Sequence, residues 1–237
     1  MEANNYLSVD RGLLVAIFLG GSILFSTLAC AQEKGNNMDD VKDDTLKKLP
    51  EPRAESEMSV EEAIERRRSV RSFASQELSE QQISQLLWAA QGITDDSRQY
   101  RAAPSAGATY PLEVHLATAE WVGHYQPEEH ALEITVSEDV RRALARAALG
   151  QRFVAEAPAV IVVSAIPERT TRRYGERGIR YVYMEAGHAA QNVHLQAVSL
   201  GLGSVPVGAA RDDQIREVLG LPDNSMPLYI IPVGDKE

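Results

Sequence analysis

Glu65-Arg66-Arg67-Arg68-Ser69-Val70-Arg71-Ser72-Phe73 places four guanidinium groups within six positions of a chain whose formal net charge is -10. Arginine presents a planar fork of donors that matches phosphate or carboxylate oxygens two at a time and never loses its charge. Ser69 adds a hydroxyl among them, and phosphate is the natural guest. A solvated helix end accounts for the same residues. Ser59-x-x-Glu62 reads as a capping box, Val60, Ala63 and Ile64 share a helical face, and cations near a helix C-terminus complement its dipole.

The surroundings confine any such site. With 237 residues, 44% of them hydrophobic, the chain has room for one domain and a tail. Its acidic balance argues against general nucleic-acid or anionic-membrane binding, because basic residues cluster only at Arg66–Arg71 and Arg169–Arg173. The single cysteine, Cys30, precludes an intrachain disulfide, and the five histidines show no zinc spacing. Glu185 and His188 have the Glu-x-x-His spacing of di-iron bundles, but in one copy only, so no metal is expected. The chain also lacks a P-loop, a G-x-S-x-G elbow and a G-x-G-x-x-G turn after a strand.

Residues 1–31 read as a leader. Gly12 to Ala29 is apolar and follows Arg11. Ala29-Cys30-Ala31 fits a small-x-small cleavage site, Leu28-Ala29-Cys30 fits a lipobox that would lipidate Cys30, and an uncleaved anchor is the third reading. All three place the protein outside the cytoplasm, in the cell envelope. Residues 32–57 are charged and Pro-containing and read as a disordered tether, so that the domain spans 58–237.

Within 58–237 the pattern predicts a mixed α+β fold. Ser79-x-x-Gln82 opens a helix carrying Ile83, Leu86, Leu87 and Ala90, with Gly92 at its end. Leu112–Leu116 alternates as a strand, and Val122–Tyr125 and Ala131–Ile134 flank a hairpin turn. Ser137 is placed to cap a helix reaching Leu149 and Gly150. Ala159–Val163 is a buried strand near the sheet centre. A long helix over about 179–200 carries Val182, Ala186, Ala190, Val193, Ala197 and Leu200 on one stripe, and its small residues Ala186, Gly187, Ala189 and Ala190 suit a packed core or a dimer seam. Asp212 or Asp213 caps a short helix to Leu219, and Pro227–Val233 is the last strand.

Three stretches in order, Arg67-Arg68-Ser69-Val70-Arg71-Ser72-Phe73, Pro104-Ser105-Ala106-Gly107-Ala108-Thr109-Tyr110-Pro111 and Gly201-Leu202-Gly203-Ser204-Val205-Pro206-Val207-Gly208-Ala209, resemble the nitroreductase superfamily. Tyr110-Pro111-Leu112-Glu113-Val114, Tyr174-Gly175-x-Arg177-Gly178 and Glu185-Ala186-Gly187-His188-Ala189-Ala190-Gln191-Asn192 resemble its SagB/ThcOx-type dehydrogenase branch. The resemblance implies a three-layer α/β/α sandwich with a mainly antiparallel central sheet, assembled as a homodimer with FMN at the subunit interface. It assigns Arg67, Arg68, Ser69 and Arg71 to the flavin phosphate and ring edge. Pro104, Ser105, Ala106 and Gly107 belong to the segment that reaches the flavin from the partner subunit, and Pro206, Val207, Gly208 and Ala209 back its ring. A basic residue near the C-terminus often assists the phosphate in this family; Lys236 is the candidate here.

The resemblance also implies an FMN-dependent oxidoreductase. It passes hydride or electrons from a reduced donor, NAD(P)H, to a small electrophilic acceptor such as a nitro compound or quinone. Oxidation of azoline rings in peptides, or a non-enzymatic flavin-binding envelope protein, are the alternatives. In azoline dehydrogenases a Lys-Tyr pair serves proton removal, whereas this chain has Arg173-Tyr174. A guanidinium stays protonated, so Arg173 can only donate or clamp, and the pair suits stabilising negative charge on an acceptor. Pairing of Arg173 with Glu176 or Glu185 at the surface is the competing role.

Overall fold

The computed structural model describes residues 46–237, and the leader, Cys30 and the first part of the expected tether lie outside the described residues. In chain order the elements are β1 (Leu46–Lys48), α1 (Val60–Arg66), α2 (Glu80–Gln91), β2 (Ile93–Asp95), β3 (Tyr100–Arg101), β4 (Leu112–Ala117), β5 (Val122–Gln126), β6 (Ala131–Val136), α3 (Arg141–Ala147), α4 (Phe153–Glu156), β7 (Ala159–Ala165), α5 (Glu168–Tyr174), α6 (Arg177–Ser199), β8 (Gly203–Ser204), α7 (Asp212–Leu219) and β9 (Met226–Gly234). Seven strands form one sheet in the order β1-β6-β5-β4-β7-β9-β8, while β2 and β3 form a separate hairpin. Every strand pair in the large sheet is antiparallel. The expectation of a mainly antiparallel central sheet is met.

Side-chain alternation explains the layering. On β7 every residue from Ala159 to Ala165 is buried. Ile161 and Val163 join a core built with α2 and α6, and Val160 and Val162 join a second core with α3, α4 and α7. A strand apolar on both faces must be covered on both, and each fully buried Val or Ile contributes roughly 1.5–3 kcal/mol. On α6, Val182, Ala186, Ala189, Ala190, Val193 and Ala197 are buried on the first of these cores. Their small size lets α2 and α6 pack closely. Gly187 is different: a Cβ there would meet nothing within 4 Å.

Ser79 and Gln82 form the complete capping box expected for α2. Ser59 also caps α1, but Glu62 turns instead to Arg66 at 2.6 Å, and Val60 and Ile64 are exposed. Ser137 does not cap α3. β6 runs to Val136, the helix begins only at Arg141, and the Asp139 carboxylate accepts from the Arg141 backbone N–H and guanidinium. The helix also stops before Leu149 and Gly150, which both take positive φ. Asp212 and Asp213 fill the first turn of α7 rather than its cap.

The domain boundary at Met58 needs the largest correction. Leu46–Lys48 pairs with β6, and Leu49 is buried in the main core. Beyond it, Pro50 O accepts from Ser84 Oγ at 2.5 Å, and Arg53 exchanges two hydrogen bonds with the Gln85 side chain. Residues 46–57 are therefore part of the folded unit.

Candidate functional site

The segment after α1 lies along the β8 edge of the sheet. Ser69 bridges Ser204 in parallel, and Val70 N–H donates to Ser204 O at 3.0 Å. On its other side Phe73 bridges Lys236, and Ala74 N–H donates to Asp235 O. The contact with β8 is close enough to demand glycine: a Cβ on Gly203 would sit 2.7 Å from Val70 Cγ1 and 2.9 Å from Lys236 Cγ. The Arg-rich segment, β8 and the C-terminal residues are thus brought together, including the Lys236 expected to assist.

Within this group Arg66 pairs with Glu62, whereas Arg67, Arg68 and Arg71 have no carboxylate partner among the described residues. Arg68 donates to Glu65 O and Arg67 O, closing the C-terminus of α1. Arg71 lies over the Phe153 ring at 5.8 Å. Arg67 is held by His194 of α6 at 3.1 Å, and His194 Nδ1 lies 2.5 Å from Ser204 Oγ. Burial, and then the Arg67 charge, push the His194 pKa down to about 4, so the ring is neutral and the positive charge belongs to arginine. Beside this cluster Val207 exchanges two backbone hydrogen bonds with Ile230, which fixes Pro206–Ala209 on β9. Gly208 and Ala209 are exposed, and a Cβ on Gly208 would meet only Tyr229 at 3.8 Å. The backbone there is open to a flat ligand.

Pro104–Gly107 belongs to a second cluster. Gly107 has φ +64°, and a Cβ on it would lie 2.6 Å from Tyr174 Oη and 2.7 Å from Arg173 Nη1. Arg173 donates to Gly107 O at 3.2 Å, and it forms no ion pair with Glu176 or Glu185. The competing surface pairing is absent among the described residues. Tyr174 meets Tyr181 edge-on at 5.1 Å between ring centres. α5, which carries the Arg-Tyr pair, is anchored by Arg169 to Glu113, whose other oxygen is 2.6 Å from His124 Nε2. Burial raises the Glu113 pKa, but His124 and Arg169 outweigh it and hold the carboxyl below its usual range.

Two residues of α6 lie at these clusters: His194, which no motif singled out, and Glu185, which the sequence marked only by its spacing to His188 and by resemblance. His194 serves Arg67, and Glu185 has the Ser105 hydroxyl as a polar neighbour without a formed hydrogen bond among the described residues. They are nine residues apart, about 13 Å along a helix rising 1.5 Å per residue. Burial raises the Glu185 pKa to about 7 against the opposing effects of Ser105 and of the Arg101 charge. The available signal was their position: both polar side chains fall on the apolar stripe of α6. Among the described residues no group of three or more His, Cys, Asp or Glu is placed to hold a metal.

The nitroreductase family matches residues 64–235. A candidate nitroreductase of Methanocaldococcus jannaschii, MJ1384, is 48% identical over 186 residues, covering 76% of this chain and 92% of that one. The microcin B17-processing protein McbC of Escherichia coli is 30% identical over 171 residues, covering 67% of this chain and 62% of McbC. The crystal structure of a candidate nitroreductase from Ralstonia eutropha superposes with a TM-score of 0.75 at 29% identity, over 83% of this chain and 91% of that one. The chain belongs to the nitroreductase family.

Proposed function

We propose that this oxidoreductase binds FMN and passes hydride or electrons from NAD(P)H to a small electrophilic acceptor such as a nitro compound or a quinone. The observation that carries the reading is that, among the described residues, Arg67, Arg68 and Arg71 lack carboxylate partners and belong to the segment that bridges Ser204, two residues before the Pro206–Ala209 stretch with its open Gly208–Ala209 backbone. This donor set fits a flavin phosphate, and the uncovered backbone fits a planar ring. Arg67, Arg68, Ser69 and Arg71 would hold the phosphate and ring edge, Pro206–Ala209 would back the ring, and Pro104–Gly107 would close on it from the partner of a homodimer. When bound, FMN supplies the hydride and electron carrier. Arg173 contributes a fixed positive charge and Tyr174 a phenolic donor, which together stabilise negative charge on an acceptor as it is reduced.

The 30% identity with McbC favours a second reading, oxidation of azoline rings in peptides. Arg173 weighs against it, because a guanidinium cannot take a proton. Steady-state assays separate the two. NAD(P)H-dependent quinone or nitro reduction is expected. Turnover of an azoline peptide with oxygen, without quinone or nitro reduction, would establish the second reading instead.

The proposed seam between subunits is the outward face of α6, where Tyr183 and Met184 are exposed and Gly187 leaves room. Gly187→Leu fits the isolated fold and is expected to yield monomers by light scattering; persistence of the dimer would remove this face from the seam. Export and anchoring through Cys30 complete the proposal, and Cys30→Ser is expected to release a soluble form.

A further inference from the structure

Glu185 is 3% exposed, and its Oε1 has no hydrogen-bond partner among the described residues. Nothing in the fold requires a carboxyl there, since its neighbours on the α6 stripe are Val182, Ala186 and Ala189. No hydrogen bond joins its carboxyl to another residue among the described residues; the Ser105 hydroxyl and the Arg101 charge are the polar neighbours that act on it. Ser105 Oγ accepts from Tyr110 N–H at 2.9 Å, which leaves its own proton free to point elsewhere. Ser105, half-buried, also lines a cavity of about 620 Å³ together with Arg101, Gly107 and Tyr110. Gly107 is the residue against which Arg173 and Tyr174 pack. The buried carboxyl thus neighbours a hydroxyl that lines the cavity, and the cavity shares Gly107 with the candidate catalytic pair.

We propose that Glu185 is the internal proton store of this cavity and delivers its proton through Ser105. The inference rests on the oxidoreductase reading above. Reducing a quinone to a hydroquinone consumes two electrons and two protons, and a hydride equivalent brings two electrons and one proton. The second proton must come from the protein or from water. Glu185 O–H donates to Ser105 Oγ as the Ser105 proton passes to the acceptor oxygen, leaving Glu185 as a carboxylate facing the Arg101 charge. Water then reprotonates it. A pKa near 7 suits a group that gives and regains a proton at neutral pH.

The test is the infrared carbonyl band of a protonated carboxylic acid, followed against pH in the purified chain. The wild type is expected to show a band that disappears around pH 7, Glu185→Gln to lack it, and Ser105→Ala to retain it. In quinone reduction both variants are expected to lose about tenfold or more in kcat at pH 6, with KM unchanged, and to lose the wild-type break near pH 7. A band that survives Glu185→Gln overturns the proposal, as does Ser105→Ala turnover that keeps the wild-type rate and break. The band is read without flavin, so Arg67→Glu with Arg71→Glu should keep it while losing FMN. A flavin-loaded enzyme without the band refutes the proton store and leaves the FMN site standing.

Discussion

Arg67 Nη1 lies 3.1 Å from His194 Nε2. A guanidinium can only donate, so Nε2 accepts and the imidazole proton sits on Nδ1, where it is donated to Ser204 Oγ. Ser204 O in turn accepts from Val70 N–H. The ring Arg67–His194–Ser204–Val70 ties the Arg-rich segment to the sheet with the histidine neutral.

This tautomer has a pH signature. The folded His194 pKa is about 4, below the ordinary value of 6.5, because burial and then the Arg67 charge oppose protonation. A depressed histidine contributes stability that is present above pH 6.5 and is lost as pH falls towards 4. His194→Gln stays neutral throughout, so its Tm is expected to fall less than that of the wild type between pH 6.5 and 4. Equal falls would show that His194 is not the buried acceptor described.

Gly107→Ala should disturb the second cluster more than its size suggests. Two penalties combine: φ of +64°, and contacts of 2.6 Å and 2.7 Å with Tyr174 Oη and Arg173 Nη1. Gly150 also has positive φ, at +80°, but a Cβ there meets nothing within 4 Å. Gly150→Ala is expected to cost about 1 kcal/mol from backbone strain alone, and Gly107→Ala about 2 kcal/mol or more. Denaturant midpoints of the two variants measure the difference. Equal losses would mean that the Arg173–Tyr174 pair yields freely.

A chain that begins at Met58 should be less stable than one that begins at Leu46. Removing 46–57 strips β1 from the β6 edge, uncovers the core side of Leu49 and leaves the Gln85 side chain without its Arg53 partners. A loss of about 2–4 kcal/mol is expected, from the burial of Leu49 together with the hydrogen bonds. Matching Tm values for the two chains would return 46–57 to the role of a tether.

That correction shows which parts of the fold were legible. Elements specified by their own residues could be read directly: the Ser79–Gln82 box of α2, the α6 stripe from Val182 to Ala197, and the β-branched run of β7. β1 could not, because Leu46–Lys48 is charged and short, and what makes it a strand is β6, more than eighty residues away. Ser137 was misread because it follows directly on β6, a strand end that local cap chemistry does not reveal. At the candidate site the Arg residues stood out by charge, and Arg173 and Tyr174 by resemblance. His194 passed unnoticed on the core stripe of a helix, and Glu185 stood out only by its spacing to His188, by resemblance and as a possible partner of Arg173, until the structure placed Arg67 against the one and the Ser105 hydroxyl near the other.

The account stands on the Arg-rich segment as a flavin-phosphate site, and the visible absorption of purified protein tests it most directly. Wild-type protein is expected to carry bound FMN that bleaches on addition of NAD(P)H, and Arg67→Glu with Arg71→Glu to purify folded but colourless. A double variant that remains fully loaded with flavin would contradict the assignment.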